Sequence, residues 1–297
     1  MGTLNRENHP KKLKTKIITA SATVLVFIAA ALLTFFHLSD ERANYRVFFS
    51  DVGQGDGAYL VAPSGEAVVF DCGLNSGGTD LVAQMKKNGV KSVNMIVISH
   101  AHDDHFGGVF ELLDAFNVDL IVMPDFDIEG FVGQKLTTIA KMHDVEIVSA
   151  QRGDSFDILG CRLDVLSPPG ANECDGSNND SLVVMLDVLG TRLLFTGDAE
   201  SEVEDELVDL YGDSLAADVL KVAHHGSMTS TTEDFLSAVS PTVAVISAGE
   251  SNPYGLPSRS ILTRLENVGA HVCRTDIDGT ICITVTDDGN FSVSAKK

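Results

Sequence analysis

The chain has 297 residues, of which 44% are hydrophobic and 21% charged, and its formal net charge is −21. That length buries a sizeable core in one or two domains. So acidic a balance argues against a protein that grips nucleic acid or anionic lipid by broad electrostatic attraction.

The charge is uneven. Residues 1–39 carry net +4, from Arg6, Lys11, Lys12, Lys14 and Lys16 against Glu7, which leaves −25 on the remainder. The basic stretch leads into an apolar run without a charge, residues 17–38, followed by Asp40 and Glu41. About 20 apolar residues cross a bilayer, and basic residues ahead of the run keep the N-terminus in the cytoplasm. A cleaved signal peptide is the rival reading, with an apolar core of about 7–15 residues and a small-residue cleavage site. Here Ala29-Ala30-Ala31 is followed by Leu-Leu-Thr-Phe-Phe, which prolongs the run. The expectation is a basic cytoplasmic tail (1–16), an uncleaved single-pass anchor (17–38) in the cell membrane, and an extracytoplasmic domain (41–297). Cleavage would instead release a secreted form.

Beyond residue 44 strand-like and helix-like stretches alternate. Strands are expected over 45–52, 58–62 and 67–70, then a helix over 80–88 capped by Thr79. A β-branched run, 93–98, reads as a buried strand, followed by a helix over 109–116, a strand over 120–123, a helix over 132–143 and strands over 145–149 and 161–166. A polar loop runs from 168 to 179. A hairpin over 182–188 and 192–195 follows, then helix 201–211, strand 219–222, helix 232–239, strand 243–247, helix 258–268 and a β meander over 271–294. Helices following both groups of strands imply two packed sheets with helices outside. No linker or composition break follows Asp40, so one domain is expected. The five cysteines include no C-x-x-C and make no disulfide framework. Cys273 and Cys282 flank a turn signal and either meet across a hairpin or stay free.

Chemistry concentrates after the 93–98 strand, in Ser99-His100-Ala101-His102-Asp103-Asp104-His105-Phe106-Gly107-Gly108. Imidazole and carboxylate in H-x-H-x-D-H spacing suit a borderline divalent ion: alternate histidines converge on one ion while Asp104 and His105 turn towards a second. Other strand ends carry Asp51-Val52-Gly53-Gln54-Gly55-Asp56, Asp71-Cys72-Gly73, Thr196-Gly197-Asp198 and Lys221-Val222-Ala223-His224-His225-Gly226-Ser227. A carboxylate such as Asp71 can receive a ligand histidine's other N–H, and Asp198 is well placed to bridge two ions. A serine hydrolase built on Ser227 and His225 is a weak rival, since no G-x-S-x-G elbow accompanies it.

With these motifs in order, the chain resembles metallo-β-lactamase-fold proteins, and within them the branch that contains the C-terminal domain of ComEC-type competence proteins. The resemblance runs from 45 to 293 and includes Asn178-Asn179-Asp180-Ser181-Leu182 and Asn252-Pro253-Tyr254-Gly255. It implies an α/β fold, a four-layer αββα sandwich, with a one- or two-metal centre between the sheet ends. By that resemblance His100 and His102 hold one metal, Asp104 and His105 the other, and Asp198 bridges them. His224 or His225 adds a ligand or a phosphate contact; His224 is taken as the ligand, and His225, with Asp104, as catalytic. Lys221 and Arg259 are expected to meet an anionic substrate, and Asp51, Gln54, Asp56, Asp71 and Asn179 to stand behind the ligands. The chain departs from the branch at Leu256, where His usually precedes the Pro, and at 178–180, where many superfamily members place a histidine. The expected cofactor is Zn2+, one or two ions, with Mn2+ as the alternative.

The implied function is a membrane-anchored metal-dependent hydrolase of an anionic or ester substrate, phosphodiesterase- or nuclease-like, acting on DNA or a nucleotide. The alternatives are another ester, a thioester or a β-lactam as substrate, or a degenerate metal-binding domain without activity. A single anchor makes no DNA pore, so DNA uptake is not expected, and no protein partner is inferable.

Overall fold

The computed structural model describes residues 44–124, 131–170 and 178–296. The expected tail and membrane anchor lie outside these residues. Among the described residues no helix is long and apolar enough to cross a membrane.

Two sheets carry the described residues. β1 (Tyr45–Phe49), β2 (Gly57–Val61), β3 (Glu66–Cys72), β4 (Ser92–Val97), β5 (Leu120–Pro124) and β6 (Glu146–Ala150) open the first. β7 (Ser155–Ile158), β8 (Cys161–Ser167), β9 (Val183–Val188), β10 (Thr191–Phe195), β11 (Val219–Lys221), β12 (Val243–Ile246) and β13 (His271–Arg274) make the second, in the order β13-β12-β11-β10-β9-β8-β7. β14 (Thr280–Val285) and β15 (Phe291–Lys296) return to the first, whose order is β15-β14-β1-β2-β3-β4-β5-β6. β3 to β6 run parallel, as do β10 to β13. Each sheet therefore presents several carboxyl strand ends along one edge, where α/β folds build sites.

Side-chain alternation produces the layers. Leu193 and Phe195 of β10 enter the core between the sheets, while Leu194 faces the opposite way. Between the sheets Phe70 stacks on Phe195 with ring centroids 4.1 Å apart. The helices are α1 (Asn75–Lys87), α2 (Asp103–Phe106), α3 (Val109–Ala115), α4 (Phe131–Met142), α5 (Ser201–Tyr211), α6 (Glu233–Val239), α7 (Arg259–Asn267) and α8 (Thr275–Asp278). Leu81 of α1, Leu112 of α3 and Leu136 of α4 cover Tyr59, Val69 and Ile96 on the first sheet. Leu207 of α5, Leu236 of α6 and Leu265 of α7 cover Leu194, Leu220 and Ile246 on the second. The result is the expected αββα sandwich. Each such buried Leu or Phe contributes roughly 1.5–3 kcal/mol.

Several boundaries differ from the sequence reading. α1 begins at Asn75, ahead of Thr79 and through two glycines. Both are required by packing: a Cβ on Gly77 would lie 2.7 Å from Val52 O, and one on Gly78 2.8 Å from Gly108 Cα. β7 has no counterpart among the expected strands, and the expected final meander is split, with β13 in one sheet and β14 and β15 in the other. Cys273 and Cys282 therefore sit on different sheets and are not joined across a hairpin.

Candidate metal centre

The loop leaving β4 carries the histidines to the carboxyl edge. His100 and His105 are fully buried. His105 Nδ1 lies 2.9 Å from Asp71 Oδ2 at the end of β3, and Ser99 donates to both Asp71 oxygens, N to Oδ1 and Oγ to Oδ2, each at 2.7 Å. Asp71 itself holds a left-handed φ of 55°, a conformation that costs a non-glycine residue of order 1–3 kcal/mol and concentrates at functional sites. His100 Nε2 is 2.9 Å from His102 Nδ1, and its other nitrogen faces Ser99 Oγ at 3.0 Å.

Across the gap, the turn after β10 delivers Asp198, whose backbone N–H donates to Ser181 Oγ at 3.1 Å. Asp198 Oδ2 lies 3.3 Å from His105 Nε2, 3.7 Å from His225 Nε2, 3.8 Å from His224 Nε2 and 4.0 Å from His100 Nε2. One carboxylate oxygen is thus the hub of four imidazoles.

The chain leaves β11 through His224 and His225, both left-handed with φ of 47° and 53°. His225 Nδ1 lies 3.1 Å from Ser247 O beyond β12. A carbonyl only accepts, so Nδ1 carries the hydrogen and Nε2 turns to the cluster, 3.4 Å from Asp104 Oδ2. His224 Nδ1 instead faces Glu200 Oε1 at 3.3 Å and Thr229 Oγ1 at 3.2 Å.

The electrostatics follow from burial and crowding. Burial works against a charged His225, yet Asp198 and Asp56 outweigh it and raise the imidazole to about 10. His105 is raised well above its ordinary value, since Asp198 and Asp71 overcome its burial. Burial, with the neighbouring His105, pushes His100 well down. Burial also opposes ionisation of Asp198, but His105 and His225 hold its carboxyl well below the usual range.

Three overlapping groups bring donor atoms within 4.8 Å of one another: His100, His102 and Asp198; Asp104, His105 and His225; Asp56, His105 and Asp198. His105 Nε2, His225 Nε2, Asp198 Oδ1 and Asp56 Oδ1 are buried without a hydrogen-bond partner. Buried polar atoms are normally satisfied, and mixed imidazole and carboxylate donors are what a divalent ion takes. The cluster can hold a metal.

The other expected site residues are placed as follows. Asp71 Oδ2 lies 2.9 Å from His105 Nδ1, and Asp56 Oδ1 3.3 Å from His225 Nδ1. Gln54 Oε1 accepts from Gly249 N at 3.2 Å, and Asn179 Oδ1 from Glu200 N at 2.9 Å, so both tie loops at the rim. Asp51 is exposed and accepts from Gly53 N at 3.3 Å, which makes it part of its own turn rather than support for a ligand. Of the two adjacent histidines, the donor groups take His225 rather than His224, because Ser247 O anchors the His225 ring inward. Lys221, expected at the substrate, is buried against Asp56, 2.6 Å from Oδ2. Arg259 is exposed at the first residue of α7. The Asp104–His105–His225 group forms without residue 256. Leu256 is held through its backbone by Asn252, whose Nδ2 donates to Leu256 O at 2.7 Å and whose Oδ1 accepts from Leu256 N at 3.0 Å. Sequence reasoning gave no role to Ser99, Glu200 or Ser247, although each lies within two residues of a motif or strand end already singled out.

Histidine and aspartate donors gather at the carboxyl strand ends of an αββα sandwich, an α/β fold with a cluster that could hold a metal. The family model described as the metallo-beta-lactamase superfamily matches residues 57–250, and the chain belongs to that superfamily, whose members are generally hydrolases. It is 33% identical over 265 residues to ComE operon protein 3 of Bacillus subtilis (strain 168), covering 82% of this chain and 33% of that protein. It is 30% identical over 270 residues to Recombination protein 2 of Haemophilus influenzae (strain ATCC 51907 / DSM 11121 / KW20 / Rd), covering 89% of this chain and 32% of that one. These similarities are those of the ComEC-type branch, and the chain spans about a third of the length of these relatives. The crystal structure of the metallo-beta-lactamase fold protein YhfI from Bacillus subtilis superposes with a TM-score of 0.53 at 15% identity, over 83% of this chain and 99% of that one. At that identity the likeness shows the fold.

Proposed function

We propose that the chain is a metal-dependent hydrolase of phosphodiesters, nuclease-like, carried on the outer face of the cytoplasmic membrane by residues 17–38. The observation that carries the hydrolase reading is the convergence of the His100, His105 and His225 imidazoles on Asp198 Oδ2. His100 and His102 with Asp198 would hold one ion, and Asp104, His105 and His225 the other; the donors suit Zn2+, and the carboxylate share also admits Mn2+. A divalent ion bound there supplies Lewis-acid polarisation of a phosphoryl or carbonyl oxygen and makes water a stronger acid.

The protein's own groups do the rest. Asp71 fixes the His105 ring and Ser247 O the His225 ring, so the donor nitrogens are pre-aimed. Asp104 is the more open carboxylate of the cluster, 29% exposed, and it is placed to orient a water or take its proton. Arg259 is the remaining candidate for an anionic substrate group. Similarity to Recombination protein 2 of Haemophilus influenzae and Competence protein ComA of Neisseria gonorrhoeae supports a DNA-associated phosphodiester. The −25 charge outside residues 1–39 supports a second reading, a small or neutral ester.

The test is metal content of the purified full-length chain, with hydrolysis of linear DNA, a small phosphodiester and a thioester measured across a salt series. Near two ions per chain and phosphodiester cleavage support the first reading. A DNA activity falling steeply with salt marks a polyanion held by cations. Thioester cleavage alone selects the second reading, and metal without hydrolysis leaves a binding domain. Protection of the body from protease added outside intact cells tests its location: digestion supports the outward topology, and protection refutes it.

A further inference from the structure

Lys221 is the last residue of β11, at the edge where the cluster gathers. A lysine normally keeps its ammonium in water while its stem lies on apolar surface. This one is only 4% exposed. Its Nζ lies 2.6 Å from Asp56 Oδ2 and donates to Val222 O at 2.9 Å. Lys221 also lines a cavity of about 20 Å³, whose polar walls include Asp56, Asp71, Ser99 and Ser247, room for one water.

Asp56 is equally buried and reaches the rear of two imidazoles, with Oδ1 3.3 Å from His225 Nδ1 and Oδ2 4.0 Å from His105 Nδ1. It also belongs to the third donor group, with His105 and Asp198. That group shares Asp198 with the first and His105 with the second, so an ion there would compete with both. The carboxylate it needs is already in contact with an ammonium.

We propose that Lys221 is a built-in cation of the metal centre: paired with Asp56, it keeps that carboxylate out of metal coordination and directs ions to the His100–His102–Asp198 and Asp104–His105–His225 groups. The inference rests on the metal-binding reading of the cluster. Lys221 is a positioning residue that acts through Asp56 and does not meet substrate. A buried carboxylate stripped of its ammonium seeks another cation, and a divalent ion is the one on offer.

Calorimetric titration of the metal-free full-length chain with Zn2+ and with Mn2+ tests this, using the parent, Lys221→Met, Asp56→Asn and the double variant. The parent is expected to bind two ions. Lys221→Met is expected to lose about tenfold or more in affinity for at least one of them, the scale of groups that orient metal ligands, or to redistribute binding among the sites. Asp56→Asn added to Lys221→Met removes both buried charges and is expected to restore binding to within about threefold of the parent. Parent-like binding by Lys221→Met overturns the proposal, as does a double variant no better than the single one. Where Lys221→Met does not fold, the double variant decides alone, and its failure to bind two ions overturns the proposal. A parent that takes up no metal overturns the metal-centre reading itself, which separates the two failures.

Discussion

His105 Nδ1 lies 2.9 Å from Asp71 Oδ2, with both side chains buried. The carboxylate fixes the hydrogen on Nδ1 and leaves Nε2 facing Asp198, 3.3 Å away. Ser99 holds the carboxylate in turn. Asp71→Asn keeps the shape but puts an amide where one oxygen now accepts. Metal affinity is expected to fall about 10–100-fold, measured by competition with a chromogenic chelator. Unchanged affinity would mean that the His105 ring needs no such support.

The adjacent histidines separate by experiment. His225→Ala is expected to remove one bound ion per chain, and His224→Ala to leave both, because the His224 ring is engaged with Glu200 and Thr229. Metal analysis after gel filtration reads this directly; the reverse pattern would return the ligand role to His224. Leu256→His is expected to leave metal content unchanged, since the donor groups are complete without residue 256.

The H-x-H-x-D-H loop and Asp71 were legible because their chemistry is local: donors at close spacing, directly after strand-forming runs. The choice between His224 and His225 was not. Neighbours in an extended strand point to opposite sides, but both residues here are left-handed, and Ser247 O, on another strand end, decides which ring turns in. Lys221 was misplaced for a similar reason. A lysine at a strand end reads as solvent-facing, and only the fold brings Asp56 from the far side of the sandwich to meet it. The four layers were legible from alternating strands and helices. The split between β13 and β14 was not, because a turn signal does not say which sheet the chain enters next.

Stability of the metal-free chain is expected to fall with rising pH. Burial opposes the charge on His225, but Asp198 and Asp56 raise the group to about 10, against roughly 6.5 in the unfolded chain. A raised value means the folded state binds the proton more tightly. The contribution is full below pH 6.5 and is lost as pH rises through 10. His105 shifts the same way. His100, pushed down by burial and by His105, acts in the opposite sense only below pH 6.5, so it does not mask the alkaline loss. The melting temperature of metal-free protein should therefore drop between about pH 6.5 and 10, and His225→Gln should flatten that drop. Metal must displace these protons, so its affinity should rise with pH over the same interval. A flat melting profile in the metal-free parent would contradict the charged state assigned to His225.

The turn before β2 can be tested through its glycines. Gly53 and Gly55 both hold positive φ, 79° and 126°, so alanine strains either one. They differ in surroundings. A Cβ on Gly53 would meet nothing within 4 Å, whereas one on Gly55 would overlap the backbone oxygen of Asp104. That oxygen accepts from Asp56 N at 3.0 Å, so the same close approach joins the Asp56 turn to the loop bearing the histidines. Gly53→Ala is expected to cost about 1 kcal/mol from backbone strain alone. Gly55→Ala should cost about 2–4 kcal/mol, because the turn or the Asp104 loop must also move. Denaturant midpoints of the two metal-free variants give the comparison, and metal titration shows whether the extra loss reaches the cluster. Equal costs would mean that the turn and the loop shift together without strain. A larger cost at Gly55 with weakened metal binding would mean that the spacing of these two backbones sets the position of Asp104.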